Sequence, residues 1–197
     1  IESLGVKFQD KLGMATGAIW QRSHYGIEDK YPDGFASIFG FVDYIDSHDN
    51  IEVQLNTKAE ELIVKDGKVV GVKAMNGDNP VTYNANKGVV VATGGFGANV
   101  EMRQKYNTLW ANLDSSIGCS NQSVAAQGDG IVMAEAVGAQ LIDMGLIQLH
   151  PNGEVGTGMM MGVPGTSGLN RIFVNNEGKR FVAEDARRDV MVNAIYA

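Results

Sequence analysis

Hydrophobic and polar positions along this chain change period several times, and each change predicts an element. Phe35, Ile38, Val42 and Ile45 recur at helical spacing, so residues 35–48 are expected to form a helix with one buried face. Asp49-Asn50 breaks that pattern. Ile51, Val53 and Leu55 then alternate with Glu52, Gln54 and Asn56, the mark of a half-buried strand. Residues 59–65 and 68–75 read as two further strands joined by Asp66-Gly67, because both central residues of a type I′ turn need positive φ. A loop at 76–80 leads to another hairpin strand at 81–85. At 88–92 the period changes again. Val89, Val90 and Val91 are consecutive, so both faces are apolar, as in a central strand of a parallel sheet.

Beyond the glycines that follow, residues 99–106 predict a short helix, and 114–127 are polar and irregular. Asp129 is placed to cap a helix over 130–137, with Ile131, Ala134 and Val137 on one stripe and Gly138 as its stop. Residues 153–168, rich in glycine and carrying Met159-Met160-Met161, read as loop. Residues 172–175 and 180–183 form a small hairpin around Asn176-Glu177-Gly178, and 187–197 begin a helix. The order of elements is that of a mixed fold, α+β or α/β.

Composition narrows the function. The 197 residues suffice for one sizeable domain or two small ones. A formal charge of -7, with Lys and Arg scattered apart from a cluster at Lys179-Arg180 and Arg187-Arg188, argues against a nucleic-acid footprint. No apolar run approaches the roughly 18 residues of a membrane span. Cys119 is the one cysteine and has no internal partner, and with His24, His48 and His150 it shows no metal-ligand spacing. The chain opens at Ile1 rather than Met and in mid-pattern, as expected of a piece of a longer protein.

The segment "VVVATGGFG" runs from an apolar stretch into glycine. No G-x-G-x-x-G occurs anywhere, so this turn alone does not announce a dinucleotide site. A tight structural turn is the plain alternative. Its chemistry is nevertheless suitable: without side chains at Gly94 and Gly95, a phosphate or ribose can approach the main chain and meet its N–H groups. His150, in "IQLHP", reads either as a backbone-bonded histidine at a strand end or as an anion donor. Arg187 and Arg188, in "EDARRD", read either as a solvated face or as partners of Glu184 or Asp189.

Three stretches in this order and spacing change those readings: "VVVATGGFGANVEMRQKY", "GDGIVMAEAVGAQLIDMGLIQLHP" and "RIFVNNEGKRFVAEDARRD". Together they resemble the fumarate reductase and flavocytochrome c flavoproteins, whose family also holds urocanate and other enoate reductases and the 3-ketosteroid dehydrogenases. The resemblance runs from about residue 34 to the end. It implies a glutathione-reductase-like FAD-binding domain, a β-meander plus a strand, with part of an inserted cap and active-site region. Residues 1–99 would belong to the FAD-binding domain and 100–197 to the cap-leading and active-site segment. The pyrophosphate motif and the last flavin segment of the family would lie outside the chain.

The resemblance also implies roles. Ala92, Thr93, Gly94 and Gly95 would be neighbours of FAD. His150 would hold a substrate carboxylate, and Met161 would pack near flavin or substrate. Arg188 matches the family's proton donor. A guanidinium is an unusual acid, because arginine holds its proton tightly. It suits a developing carbanion, whose charge it also stabilises, provided a relay restores the proton. The implied substrate is a small α,β-unsaturated carboxylic acid, and the electrons would come from a further domain or protein. One departure stands out. Where fumarate reductases carry a relay Glu and Arg, residues 162–168 read "GVPGTSG", with neither. A steroid-type dehydrogenase would need a tyrosine acid or base, and no Tyr adjoins His150 or Arg188 in the sequence. A non-catalytic flavoprotein-like binding module is the other alternative.

Overall fold

The computed structural model describes residues 1–15, 17, 18, 20–27, 35–119, 125–154, 158 and 172–197. The chain divides into two compact units, Ile1–Val53 with Gly162–Ala197, and Gln54–Met161.

The continuous unit is built on a meander of three antiparallel strands, β1 (Thr57–Lys65), β2 (Lys68–Asn76) and β3 (Asn79–Asn84), in the order β1-β2-β3. The first turn is the expected one. Asp66 and Gly67 have φ of 51° and 72°, as a type I′ hairpin requires. The second turn is tighter than the sequence suggested. Asn76 pairs with Asn79 across Gly77-Asp78, and Pro80 enters β3. Proline is tolerated there because β3 is an edge strand. β1 is irregular: its register slips between Ala59 and Glu61 and again between Ile63 and Val64.

Two helices complete this unit. α2 (Val100–Tyr106) forms where a helix over 99–106 was expected, and Asn99 caps it, its Oδ1 accepting the Met102 N–H at 3.0 Å. α3 (Asp129–Ala136) packs on β1. Leu62, Ala74, Met102, Trp110, Leu113, Ala126 and Met133 are the unit's buried apolar residues. Trp110 satisfies its indole N–H on Ile147 O at 2.6 Å. Arg103 is buried too. Its guanidinium reaches the carbonyls of Asp114 (3.0 Å) and Gly118 (3.5 Å), which ties the 114–118 loop to α2.

The discontinuous unit joins both ends of the chain. α1 (Phe35–Asp46) approaches the short turn Glu2–Leu4 closely at Gly40, where a Cβ would stand 2.6 Å from Val6 Cγ2. Bridges Phe8↔Gly26 and Gly13↔Ser23 draw the N-terminal segment into a narrow loop. α4 (Arg188–Tyr196) buries Met191 and Val192. The hairpin before it forms as expected. Val174 bridges Arg180, and Asn175 Oδ1 accepts the N–H groups of Glu177 and Lys179, both at 3.0 Å.

Four expectations fail. Residues 51–55 form no strand. Ile51 N–H turns back to His48 O, and Asn56 at φ 53° bends the chain before β1. Residues 88–92 form no strand among the described residues, and Val90 is 89% exposed. A ladder needs a neighbour, and periodicity does not supply one. Likewise the α1 stripe is not buried: Phe35, Ile38 and Val42 are exposed. Asp129 is also not the cap it was expected to be. It is the first helical residue, and Gly128, at φ 83°, is the N-cap.

Candidate functional site

The ATGG turn is fastened to the start of α3 from several directions. Gly128 N–H donates to Gly95 O at 3.1 Å, and Ala98 N–H donates to Ala126 O at 2.9 Å. Asn99 Nδ2 donates to Gln127 O at 3.0 Å. A Cβ on Gly128 would stand 2.5 Å from Met102 Sδ and 3.0 Å from Phe96 Cβ. At Gly130 a Cβ would overlap Thr93 Oγ1 and stand 2.7 Å from Val91 Cγ1. The "GDG" glycines are therefore packing requirements. They let the helix start rest against residues 91–96.

The other side of the turn is open. Gly94 has φ 75°, and a Cβ on Gly94 or Gly95 would meet nothing within 4 Å. Ala92, Thr93, Gly94 and Gly95 are all exposed. A turn anchored on one side and bare on the other is the form that admits a phosphate or sugar against main chain.

Around the same helix start lies a cleft of about 260 Å³, lined by Lys58, Ala59, Glu60, Asn99, Gln127, Asp129, Val132 and Met133. Consecutive residues of a regular strand face opposite ways. Here the slip between Ala59 and Glu61 breaks the alternation, so Lys58, Ala59 and Glu60 reach one cleft. Sequence reasoning assigned Asp129 no chemistry and passed over 58–60. A bulge leaves no trace in hydrophobic alternation, so no sequence signal marked them.

His150 is half-buried in the same unit as the turn. Pro151 has no N–H, and the next donor, Asn152 N–H, reaches His150 Nδ1 at 3.2 Å. With Nδ1 accepting, the neutral ring carries its proton on Nε2.

Arg188 belongs to the discontinuous unit, half-buried at the first position of α4. Two carboxylates near it in sequence are engaged by other arginines. Asp189 pairs with Arg187 at 2.8 Å. Glu184, only 5% exposed, accepts Phe173 N–H at 2.8 Å and binds Arg180 through both carboxylate oxygens. Burial alone would raise the Glu184 pKa. The bonds from Phe173 and Arg180 outweigh it and hold the carboxyl below its ordinary value. A cation at a helix N-terminus opposes the macrodipole, at a cost of about 0.3–1 kcal/mol. Arg188 is thus kept where helix stability alone would not put it. Met161 and the 162–168 window lie outside the described residues.

An anchored, open glycine turn beside a polar cleft, on a meander with helices, is the arrangement of a cofactor-binding domain in a mixed α/β flavoprotein. The comparisons agree. The family described as an FAD binding domain matches residues 7–197. The chain belongs to that family, and FAD is its cofactor.

The chain is 40% identical over 197 residues to the NADH:acrylate oxidoreductase of Vibrio harveyi, covering 98% of this chain and 19% of that protein. It is 49% identical over 149 residues to the urocanate reductase of Eggerthella lenta, covering 74% and 24%. Among solved structures it matches the open conformation of a flavocytochrome c3 fumarate reductase. The TM-score there is 0.72, at 28% identity, over 98% of this chain and 33% of that one. The resemblance drawn from the three motifs is borne out, and the chain spans between a fifth and a third of the length of these relatives.

Proposed function

We propose that this chain is the part of a flavin-dependent reductase that backs the cofactor and supplies two side chains to an α,β-unsaturated carboxylic acid. The observation that supports it most is the anchored turn with its open face at Gly94 and Gly95, in a chain whose relatives are named for reducing such acids. The residues fit the cofactor: Ala92, Thr93, Gly94 and Gly95 offer bare main chain, and the cleft at Lys58–Glu60 and Asp129 offers donors and acceptors for a ribose or adenine. When bound, FAD supplies hydride for the β-carbon.

His150 donates from Nε2 to a substrate carboxylate, which orients the double bond and draws charge toward the carboxylate end. Arg188 gives a proton to the α-carbon as negative charge builds there, and its own charge stabilises that carbanion. Met161 packs against flavin or substrate. Residues 162–168 lack the Glu and Arg of the fumarate pattern, which favours an acid other than fumarate. Electrons come from a donor domain or protein.

The test uses the protein expressed from its native gene and loaded with FAD. Fumarate, urocanate and acrylate are each offered with reduced methyl viologen as donor. Arg188→Ala should keep its flavin and lose roughly 10²–10⁴ in kcat. His150→Ala should chiefly raise KM, by about tenfold or more. Undiminished turnover in Arg188→Ala would remove the proton-donor role.

A further inference from the structure

Gly17 lies far from Arg188 in sequence, yet the two meet within one unit. Gly17 has φ 77°, and a Cβ built on it would stand 2.7 Å from Arg188 Cγ and 3.0 Å from Arg188 N. The stem of Arg188 therefore lies directly on the Gly17 backbone, at the point where α4 begins. Any other residue would collide with the stem and with the main chain of the helix start together.

The base of the loop that presents Gly17 is paired. Gly13 and Ser23 exchange both main-chain hydrogen bonds, at 2.8 and 2.9 Å. Gln9 N–H donates to Tyr25 O and Ile27 N–H to Lys7 O, both at 2.9 Å. The Tyr25 ring closes over Gly13, where a Cβ would stand 2.8 Å from Tyr25 Oη. The paired base of the loop thus carries Gly17, whose backbone the arginine stem rests on.

We infer that Gly17 is a positioning residue for Arg188. Its missing side chain sets where the guanidinium is carried, and so where the proton is delivered. This rests on the reading of Arg188 as proton donor. Ordinary carbon contacts are about 3.5–4.0 Å, so a methyl at Gly17 must displace Cγ by roughly 1 Å, and the guanidinium beyond it by more. A misplacement of about 1 Å costs on the order of 10²-fold in rate. Gly17 touches the stem rather than the acid, so substrate affinity should be spared.

The experiment compares Gly17→Ala, Gly17→Asn, Arg188→Ala and the Gly17→Ala/Arg188→Ala pair in the FAD-loaded native gene product. Asparagine tolerates positive φ, so Gly17→Asn separates collision from backbone strain. Expected is a kcat lower by roughly 10²-fold in both Gly17 variants. KM should stay within about twofold of the parent, with flavin absorbance unchanged and melting temperature within a few degrees for Gly17→Asn. In the pair, adding Gly17→Ala to Arg188→Ala should lower kcat no further, because the residue it positions is gone.

A Gly17→Asn enzyme with parental kcat overturns the inference. So does a pair whose losses multiply. If instead Arg188→Ala turns over normally, the proton-donor reading has failed, a result distinct from either of those.

Discussion

Gly130→Ala tests whether the start of α3 is what holds the glycine turn at residues 92–95. Helix propensity argues for the substitution: alanine is favoured over glycine by up to about 1 kcal/mol in a helix interior. Packing argues against it. The new methyl would overlap Thr93 Oγ1, stand 2.7 Å from Val91 Cγ1 and 3.1 Å from Thr93 Cβ. Two residues of the turn must retreat, the valine methyl by about 1 Å to reach ordinary contact. Overpacking of this kind costs about 1–3 kcal/mol. Packing should win, with a net loss of about 1–2 kcal/mol. At about 2–4 °C per kcal/mol in a domain this size, the melting temperature falls by roughly 2–8 °C. Since the part displaced is residues 91–95, the flavin-to-protein absorbance ratio should fall with it. Gly88→Ala is the control, because a Cβ there meets nothing within 4 Å. It should melt with the parent. Thr93→Ala, added to Gly130→Ala, should recover part of the lost melting temperature. A Gly130→Ala protein that melts at or above the parent and keeps full flavin would refute the reasoning.

Two further outcomes are expected. Asn99→Ala removes an N-cap bond to Met102 N–H and a bond to Gln127 O, and should lower stability by about 1–2 kcal/mol in urea titration. Asn99→Asp, which keeps only the cap, should lose less. In acid, two carboxylates contribute. Asp114 is held down to about 2 by Asn112 and Ser116, and Glu184 lies below its ordinary value. A depressed carboxylate stabilises the fold above its unfolded pKa, and the gain is lost as pH falls through the folded one. The urea midpoint should therefore be flat above about pH 5 and drop steadily toward pH 2. Glu184→Gln should start lower and drop less steeply. An acid limb of unchanged slope in that variant would count against the carboxylate.

How far these features could be read in advance depends on where their causes lie. Asp66-Gly67 was legible because a type I′ turn is a demand on two adjacent residues, whereas Asn99 was read as part of the helix it caps. The motifs carried the family, since glycine turn, helix start and histidine keep a fixed order. Residues 51–55 and 88–92 were misread for the opposite reason. Alternation and apolar runs tell which side chains avoid water, not whether a neighbouring strand exists to cover them. The glycine roles were also hidden. "GDG" reads as a helix start in any chain, and only coordinates show that Gly130 has no Cβ because Thr93 and Val91 occupy the space. Nothing near Gly17 in sequence points to Arg188.

The discontinuity of the unit that carries Arg188 bears on how the chain acquires its structure. During synthesis Gln54–Met161 emerges whole, and its local hairpins and short helices need nothing made later. The first segment, with its narrow loop, must wait until the residues from 162 onward have been made. Gly17 therefore gains its contact only after α4 is made, so synthesis stalled between the two would leave the three-stranded meander complete and the loop apex without Arg188.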